Sequence, residues 1–182
     1  MSDIEKMITA VIRREGGYVN HPADRGGPTN YGISQNALSH HLGRSASQSD
    51  VEQLDQAVAR EIYRQTYYLA PGLDQLPELI QEFAFDSAVN HGPKQAVLFV
   101  QRSCNLLGAK PPLREDGLMG DNTRRAAKTA AQRFSARLVR TLLAERRNFY
   151  FKLVEAKPSQ QVFLKGWLNR LAEFDDGDTR IV

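Results

Sequence analysis

Glu15-Gly16-Gly17-Tyr18-Val19-Asn20-His21-Pro22-Ala23-Asp24-Arg25-Gly26-Gly27-Pro28-Thr29-Asn30-Tyr31-Gly32-Ile33-Ser34 decides how this chain is read. Ahead of it, Ile4, Met7, Ile8, Val11 and Ile12 recur as one apolar stripe at helical spacing, and Ser2 with Glu5 matches a capping box. The pattern predicts a helix that begins near Ser2 and stops where Gly16 and Gly17 interrupt it, which makes Glu15 its last side chain. The carboxyl end of a helix carries partial negative charge, so stability alone would place Lys or Arg there. If that carboxyl group also packs against Tyr18 and a core, burial and the dipole would both favour the protonated form from which a general acid donates.

The residues that follow predict a short hairpin. Tyr18 and Val19 form one arm, the residues around Thr29, Tyr31 and Ile33 form the other, and Pro22, Gly26, Gly27 and Pro28 supply the turns. Asp24 sits at the tip. Folded back over the helix end, the hairpin would set Asp24 and Thr29 across a groove from Glu15. In an inverting glycosidase such a gap holds the attacking water, activated by one carboxylate while the other protonates the leaving oxygen. Singly, each residue has a plainer explanation: an Asx turn for Asp24, a strand hydroxyl for Thr29, a solvated helix end for Glu15. Together, between paired glycines, Glu15, Asp24 and Thr29 are the candidate catalytic set, and Tyr18 and Tyr31 could stack on sugar rings.

The run from Glu15 to Ser34 resembles the signature of the glycoside hydrolase family 108 muramidases, found in phage endolysins and in bacterial proteins labelled secretion activators. The spacing of Glu15, Asp24 and Thr29 is also similar to the Glu, Asp and Thr constellation of phage T4-type lysozymes. The resemblance implies a lysozyme-like fold, cleavage between N-acetylmuramic acid and N-acetylglucosamine, and Glu15 as the essential acid. His21 departs from the pattern, because relatives carry an acidic residue there. Further along, Phe83-Ala84-Phe85-Asp86-Ser87-Ala88-Val89-Asn90-His91-Gly92 resembles the family's second block. Asp116-Gly117-Leu118-Met119-Gly120-Asp121-Asn122-Thr123 resembles the opening of its peptidoglycan-binding part, and Gly166-Trp167 with Asn169-Arg170 its closing motif.

Composition fits a compact enzyme. At 182 residues, with 41% hydrophobic and 25% charged, the chain can bury one substantial core. A net charge of +3 and a pI near 9.1 favour an anionic polymer, whether bacterial wall material or nucleic acid, and the excess is too mild to decide which. No nucleic-acid motif is present, and bacterial peptidoglycan as the partner is what the resemblance implies. Cys104 is the sole cysteine, so no intramolecular disulfide can form, and among Ala96, Val97 and Val100 it reads as an inert buried thiol. Four histidines without a His-Glu-x-x-His pattern predict no metal, and nothing predicts a cofactor. No apolar run reaches membrane length, and Asp3, Glu5 and Lys6 break up the N-terminus. The expectation is synthesis in the cytoplasm without a signal peptide, no membrane insertion, and action on the wall after export or lysis. A holin or secretion machinery would be the partner that gives access.

The remainder reads as helices. Asp50 or Ser49 caps one carrying Val51, Leu54, Val58 and Ile62 and ending near Tyr67 and Tyr68. Pro77 opens the next, with Leu79, Ile80, Phe83 and Ala88 inward; Gly92 stops it and Pro93 restarts a helix that ends at about Gly108. A loop or lobe boundary follows over 109–120, then Asp121 caps a long helix, or two collinear ones, reaching Pro158. A last helix holds Val162, Phe163, Trp167 and Leu171. The predicted class is mainly α, a lysozyme-like helical domain with a small β-hairpin at the active-site cleft: a catalytic part over 1–108 and a helical, peptidoglycan-binding-like part over 109–182 in the same globule.

Asp86 and Asn90 fall on one helix face, either as satisfied core or as groove residues that position sugar hydroxyls and N-acetyl groups. His91 reads as a helix-end residue facing the dipole, Trp167 as packing, and Arg140 with Arg146-Arg147 as a solvated face. Arg13, Arg14, Arg124 and Arg125 could contact wall carboxylates or phosphate. The residues support a glycoside hydrolase, and the resemblance implies that it is a peptidoglycan hydrolase, an N-acetylmuramidase; the alternative is a non-catalytic peptidoglycan-binding or secretion-activating partner.

Overall fold

The computed structural model describes residues 3–20 and 27–175, and the chain divides into two compact units, residues 1–70 and 71–182. Ser2, His21 and Asp24 lie outside the described residues. The architecture is mainly α, with one small antiparallel hairpin, in agreement with the predicted class. Among the described residues no helix is long and apolar enough to cross a membrane.

In the first unit, α1 (Asp3–Glu15) buries Met7, Ile8, Val11 and Ile12, the face that the apolar stripe marks out. Gly16, at φ 73°, ends it, and the Gly16 N–H donates to the Ile12 carbonyl at 3.1 Å. β1 (Thr29–Asn30) pairs with β2 (Ile33–Ser34) across the two-residue turn Tyr31-Gly32, both at positive φ as a twisted hairpin of this length demands. Val19 forms a lone antiparallel bridge to Thr29, with both backbone hydrogen bonds made, at 2.8 and 2.9 Å. The expected second arm is therefore two short strands, and Tyr31 is a turn residue because only there can the chain reverse.

α2 (Gln35–Leu42), α3 (Gln48–Glu52) and α4 (Gln56–Ile62) follow. The single helix expected over 50–68 is broken after Glu52, and Ser47, not Ser49 or Asp50, caps α3: Asp50 completes a capping box with it. Asp55 then caps α4, its carboxylate accepting from the Ala57 N–H at 2.6 Å. α4 continues into a π-helical stretch, Tyr63–Leu69, that buries Tyr63 and Tyr68. Glu5 of α1 accepts from Arg60 at 2.7 Å and from Arg64, tying α1 to these turns. Asn30 is buried and spends its amide on the Val51 and Glu52 carbonyls, both at 3.0 Å, which fastens β1 to α3.

In the second unit, α5 (Glu78–His91) and α6 (Pro93–Leu106) join at Gly92, whose φ of 84° allows the turn, with Pro93 in the first turn of α6 as expected. α7 (Asp121–Ala156) packs on both, and α8 (Gln161–Ala172) packs on α7. Gly120, not Asp121, is the residue before α7; Asp121 instead pairs with Arg124. Non-helical geometry at Phe134 (φ −141°, ψ 32°) divides α7 into two helices joined at a kink, so of the two expectations the pair of helices holds, bent and not collinear. Leu79, expected inward, is 50% exposed, and Val162 and Phe163 of α8 are 77% and 53% exposed. Cys104 is buried as expected, and burial pushes its thiol up to about 11.

A charged cluster sits at the heart of this unit. Arg146, expected on a solvated face, is fully buried: its guanidinium donates to Asp86 at 2.7 Å, to the Ser87 hydroxyl at 3.2 Å and to the Tyr150 hydroxyl at 2.7 Å. Arg170 of α8 donates twice to the other Asp86 oxygen, at 3.0 and 2.8 Å. One carboxylate thus holds three helices together, as a buried ion must be paired. His91 packs edge-on against Phe99, Phe149 and Tyr150 and lies 3.2 Å from the Tyr150 hydroxyl. Burial first, then Arg146, lowers its pKa to about 3, so the ring is neutral at pH 7 and its role is packing more than dipole compensation. Trp167 stacks on Tyr150 and Phe163, as packing.

Candidate active site at the end of the first helix

Glu15 is half-buried as the last residue of α1, and its side chain lies against the turn of the hairpin. A β-carbon built on Gly32 would stand 2.8 Å from Glu15 Cγ, 3.0 Å from Glu15 Cβ and 2.6 Å from the Tyr63 hydroxyl. No other residue fits there, since the site is too small for a side chain and the φ of 76° disfavours one. The Tyr63 hydroxyl in turn donates to the Tyr31 carbonyl at 2.8 Å, fixing the turn from the side of the π-helical stretch. Single π turns recur at functional sites because they re-aim side chains from a regular helix. Helix end, turn glycine and Tyr63 therefore form one packed corner around the stem of Glu15.

Thr29 is the hub of the small sheet, bridged to Val19 on one side and paired with Ser34 on the other. Tyr18 is half-buried and its hydroxyl accepts from Gln48 at 3.2 Å, so its ring is positioned from α3. Tyr31 is half-buried at the turn. Asp24, the proposed partner carboxylate, lies outside the described residues.

Asp86 is a correction to the candidate substrate set. It is 4% exposed with both oxygens taken by Arg146 and Arg170, so it fits the satisfied-core reading and offers nothing to a sugar. Asn90 is exposed, but its amide donates back to the Asp86 carbonyl at 2.6 Å, and the two do not share an open face. Two residues of the corner had escaped the reading of the sequence. Gly32 carries a weak signal, since a glycine between strand-forming residues marks a turn or close backbone approach; Tyr63 carries none, being one tyrosine among several.

The sequence model of the glycosyl hydrolase 108 family matches residues 8–92, and that of a predicted peptidoglycan domain matches residues 95–172. The two matches meet at the α5–α6 turn. Among solved structures, SagA of Brucella abortus is similar at 30% identity with a TM-score of 0.80, over 94% of this chain and 90% of that one. No curated protein matches the chain. The second match supports a peptidoglycan-related function. With its helix, glycine turn and second helical block all accounted for, the chain belongs to the glycosyl hydrolase 108 family and has a lysozyme-like helical fold.

Proposed function

We propose that this protein hydrolyses peptidoglycan as an N-acetylmuramidase, cutting between N-acetylmuramic acid and N-acetylglucosamine, with Glu15 as general acid. The observation that carries the reading is the lodging of Glu15: a carboxyl group at a helix end, its stem pinned by Gly32 and the Tyr63–Tyr31 hydrogen bond. An acid catalyst must be held in place, because proton transfer to a glycosidic oxygen needs hydrogen-bond reach and a fixed direction. In this reading Asp24 orients the attacking water or stabilises positive charge on the sugar, Thr29 helps to hold that water, and Tyr18 and Tyr31 flank the sugar.

Purified peptidoglycan tests it. The wild type should clear the suspension and release fragments whose new reducing end, after borohydride reduction and mass spectrometry, is muramic acid. Glu15→Gln should lose roughly 10²–10⁴-fold in rate with an unchanged melting temperature. Lysis by Glu15→Gln at the wild-type rate would remove the acid role. Wall binding without hydrolysis by the wild type would replace the reading with that of a non-catalytic peptidoglycan-binding or secretion-activating partner.

A further inference from the structure

The second unit contains a cavity of about 1010 Å³ between the start of α7 and the loop before it. The loop is pinned to α6 by two amide side chains. Gln101 donates to Asp116, to the Leu118 carbonyl and to Thr123, and accepts from the Gly117 N–H at 2.9 Å. Asn105 donates to the Leu113 carbonyl at 3.0 Å and accepts from the Leu113 N–H at 2.7 Å. Gly117 admits no side chain, since a β-carbon there would meet Lys94 Cγ at 2.5 Å and its carbonyl oxygen at 2.8 Å. The cavity is therefore preformed.

Its lining has a distinct chemistry. Among the described residues, four cations line it, Lys110, Arg114, Arg125 and Arg133, against two carboxylates, Asp116 and Asp121. Both carboxylates are already engaged, Asp116 by Gln101, the Leu118 N–H and, at 4.0 Å, Arg114 of the same lining, and Asp121 by Arg124. Arg125 and Arg133 stand two turns apart on α7, with Ala126, Thr129 and Ala130 forming a shallow floor between them. Arg125 is steadied by Asn122, and Arg133 lies 5.2 Å over the Phe134 ring at the bend of the helix.

We infer that this cavity binds the peptide stem of peptidoglycan through its free carboxylates, with alanine methyl groups against the small-residue floor. Arginines present flat, paired donors matched to carboxylates, and two of them on one helix face favour an extended chain with more than one acid group. A bare glycan strand is the poorer match: sugar faces are met by aromatic rings, and Phe134 is the one aromatic residue among the described residues lining the cavity. The inference rests on the protein being directed at the wall, and not on Glu15 being its acid.

The test is calorimetric binding of an N-acetylmuramyl tripeptide to the full chain; this probe has no glycosidic bond to cleave. The expected result is saturable binding, weakened about tenfold or more by amidation of the peptide carboxylates and by Arg125→Gln or Arg133→Gln. Lys128→Gln, exposed on the same helix outside the cavity, should bind as wild type. Equal binding of the amidated peptide, equal binding of peptide-free glycan, displacement by inorganic phosphate at equal concentration, or unchanged affinity in both arginine variants with wild-type melting temperatures would overturn it. The two proposals fail separately: lysis unaffected by Glu15→Gln removes the acid and leaves this site, whereas normal lysis without stem binding removes this site alone.

Discussion

The Cγ of Glu15 would lie 2.8 Å from any β-carbon placed on Gly32. Helix end and hairpin turn are therefore fitted to each other at the carboxylate proposed as the general acid, and the Tyr63 hydroxyl fills the remaining side of the same space. What positions Glu15 is a contact made possible by the absence of an atom.

Gly32→Ala should consequently cost stability and activity together. The strained φ alone is worth about 1–2 kcal/mol, and the close contacts add to it. The nearest of those contacts is the Tyr63 hydroxyl, so in a Tyr63→Phe background the same substitution should cost less. A double-mutant cycle by chemical denaturation, with lysis rates taken in parallel, measures the coupling. Strict additivity would show that the Tyr63 hydroxyl does not meet the turn.

Tyr63→Phe by itself removes the 2.8 Å bond to the Tyr31 carbonyl. A loss of about 1 kcal/mol in unfolding free energy is expected, with a fall in kcat that exceeds any change in KM, because the turn that braces Glu15 is loosened while the second unit is untouched. Steady-state kinetics on a soluble glycan fragment reads that split.

Much of this corner was legible beforehand. The stripe from Ile4 to Ile12 and the paired glycines mark where α1 ends, because a helix period and a left-handed stop are both local properties. The bridge between Val19 and Thr29 follows from strand-forming residues on either side of a turn-rich segment. Tyr31 was assigned to a strand because a non-glycine residue at φ 52° leaves no compositional mark. Arg146 was placed in water for a deeper reason: its counter-ion is Asp86, sixty positions away. Burial of a charge depends on a partner that only the folded chain supplies. Leu79 errs the other way, as an apolar residue can remain at the surface.

Asp86→Ala should be among the most damaging substitutions in the second unit. It would leave Arg146 fully buried without its carboxylate and would release Arg170. Removing one partner of a buried ion pair typically costs about 3–5 kcal/mol. Replacing the group isosterically by Asp86→Asn keeps the shape and loses the charge, so it should fall between wild type and Asp86→Ala in thermal melts. An Asp86→Ala protein as stable as wild type would exclude the cluster as the tie between α5, α7 and α8.

His91 predicts how the protein responds to acid. Its folded pKa of about 3 lies far below the value near 6.5 expected in the unfolded chain, because burial and the neighbouring Arg146 disfavour the charged ring. Above pH 6.5 the ring is neutral in both states and the full stability is present. Between pH 6.5 and 3 the unfolded chain takes up a proton that the folded one refuses, so stability falls as the pH is lowered, by at most about 1.4 kcal/mol per pH unit from this group. The carboxylates with lowered values among the described residues, Asp50, Asp116 and Asp121, begin to lose their contribution only below about pH 5, as the pH nears their ordinary value of 3.8, so the interval from pH 6 to about 5 isolates the imidazole among these groups. His91→Phe keeps the aromatic packing against Phe99 and Phe149 and removes the titration. Denaturation midpoints measured across that interval should slope for wild type and flatten for His91→Phe, and parallel slopes would mean that the folded ring takes up its proton as readily as the unfolded one.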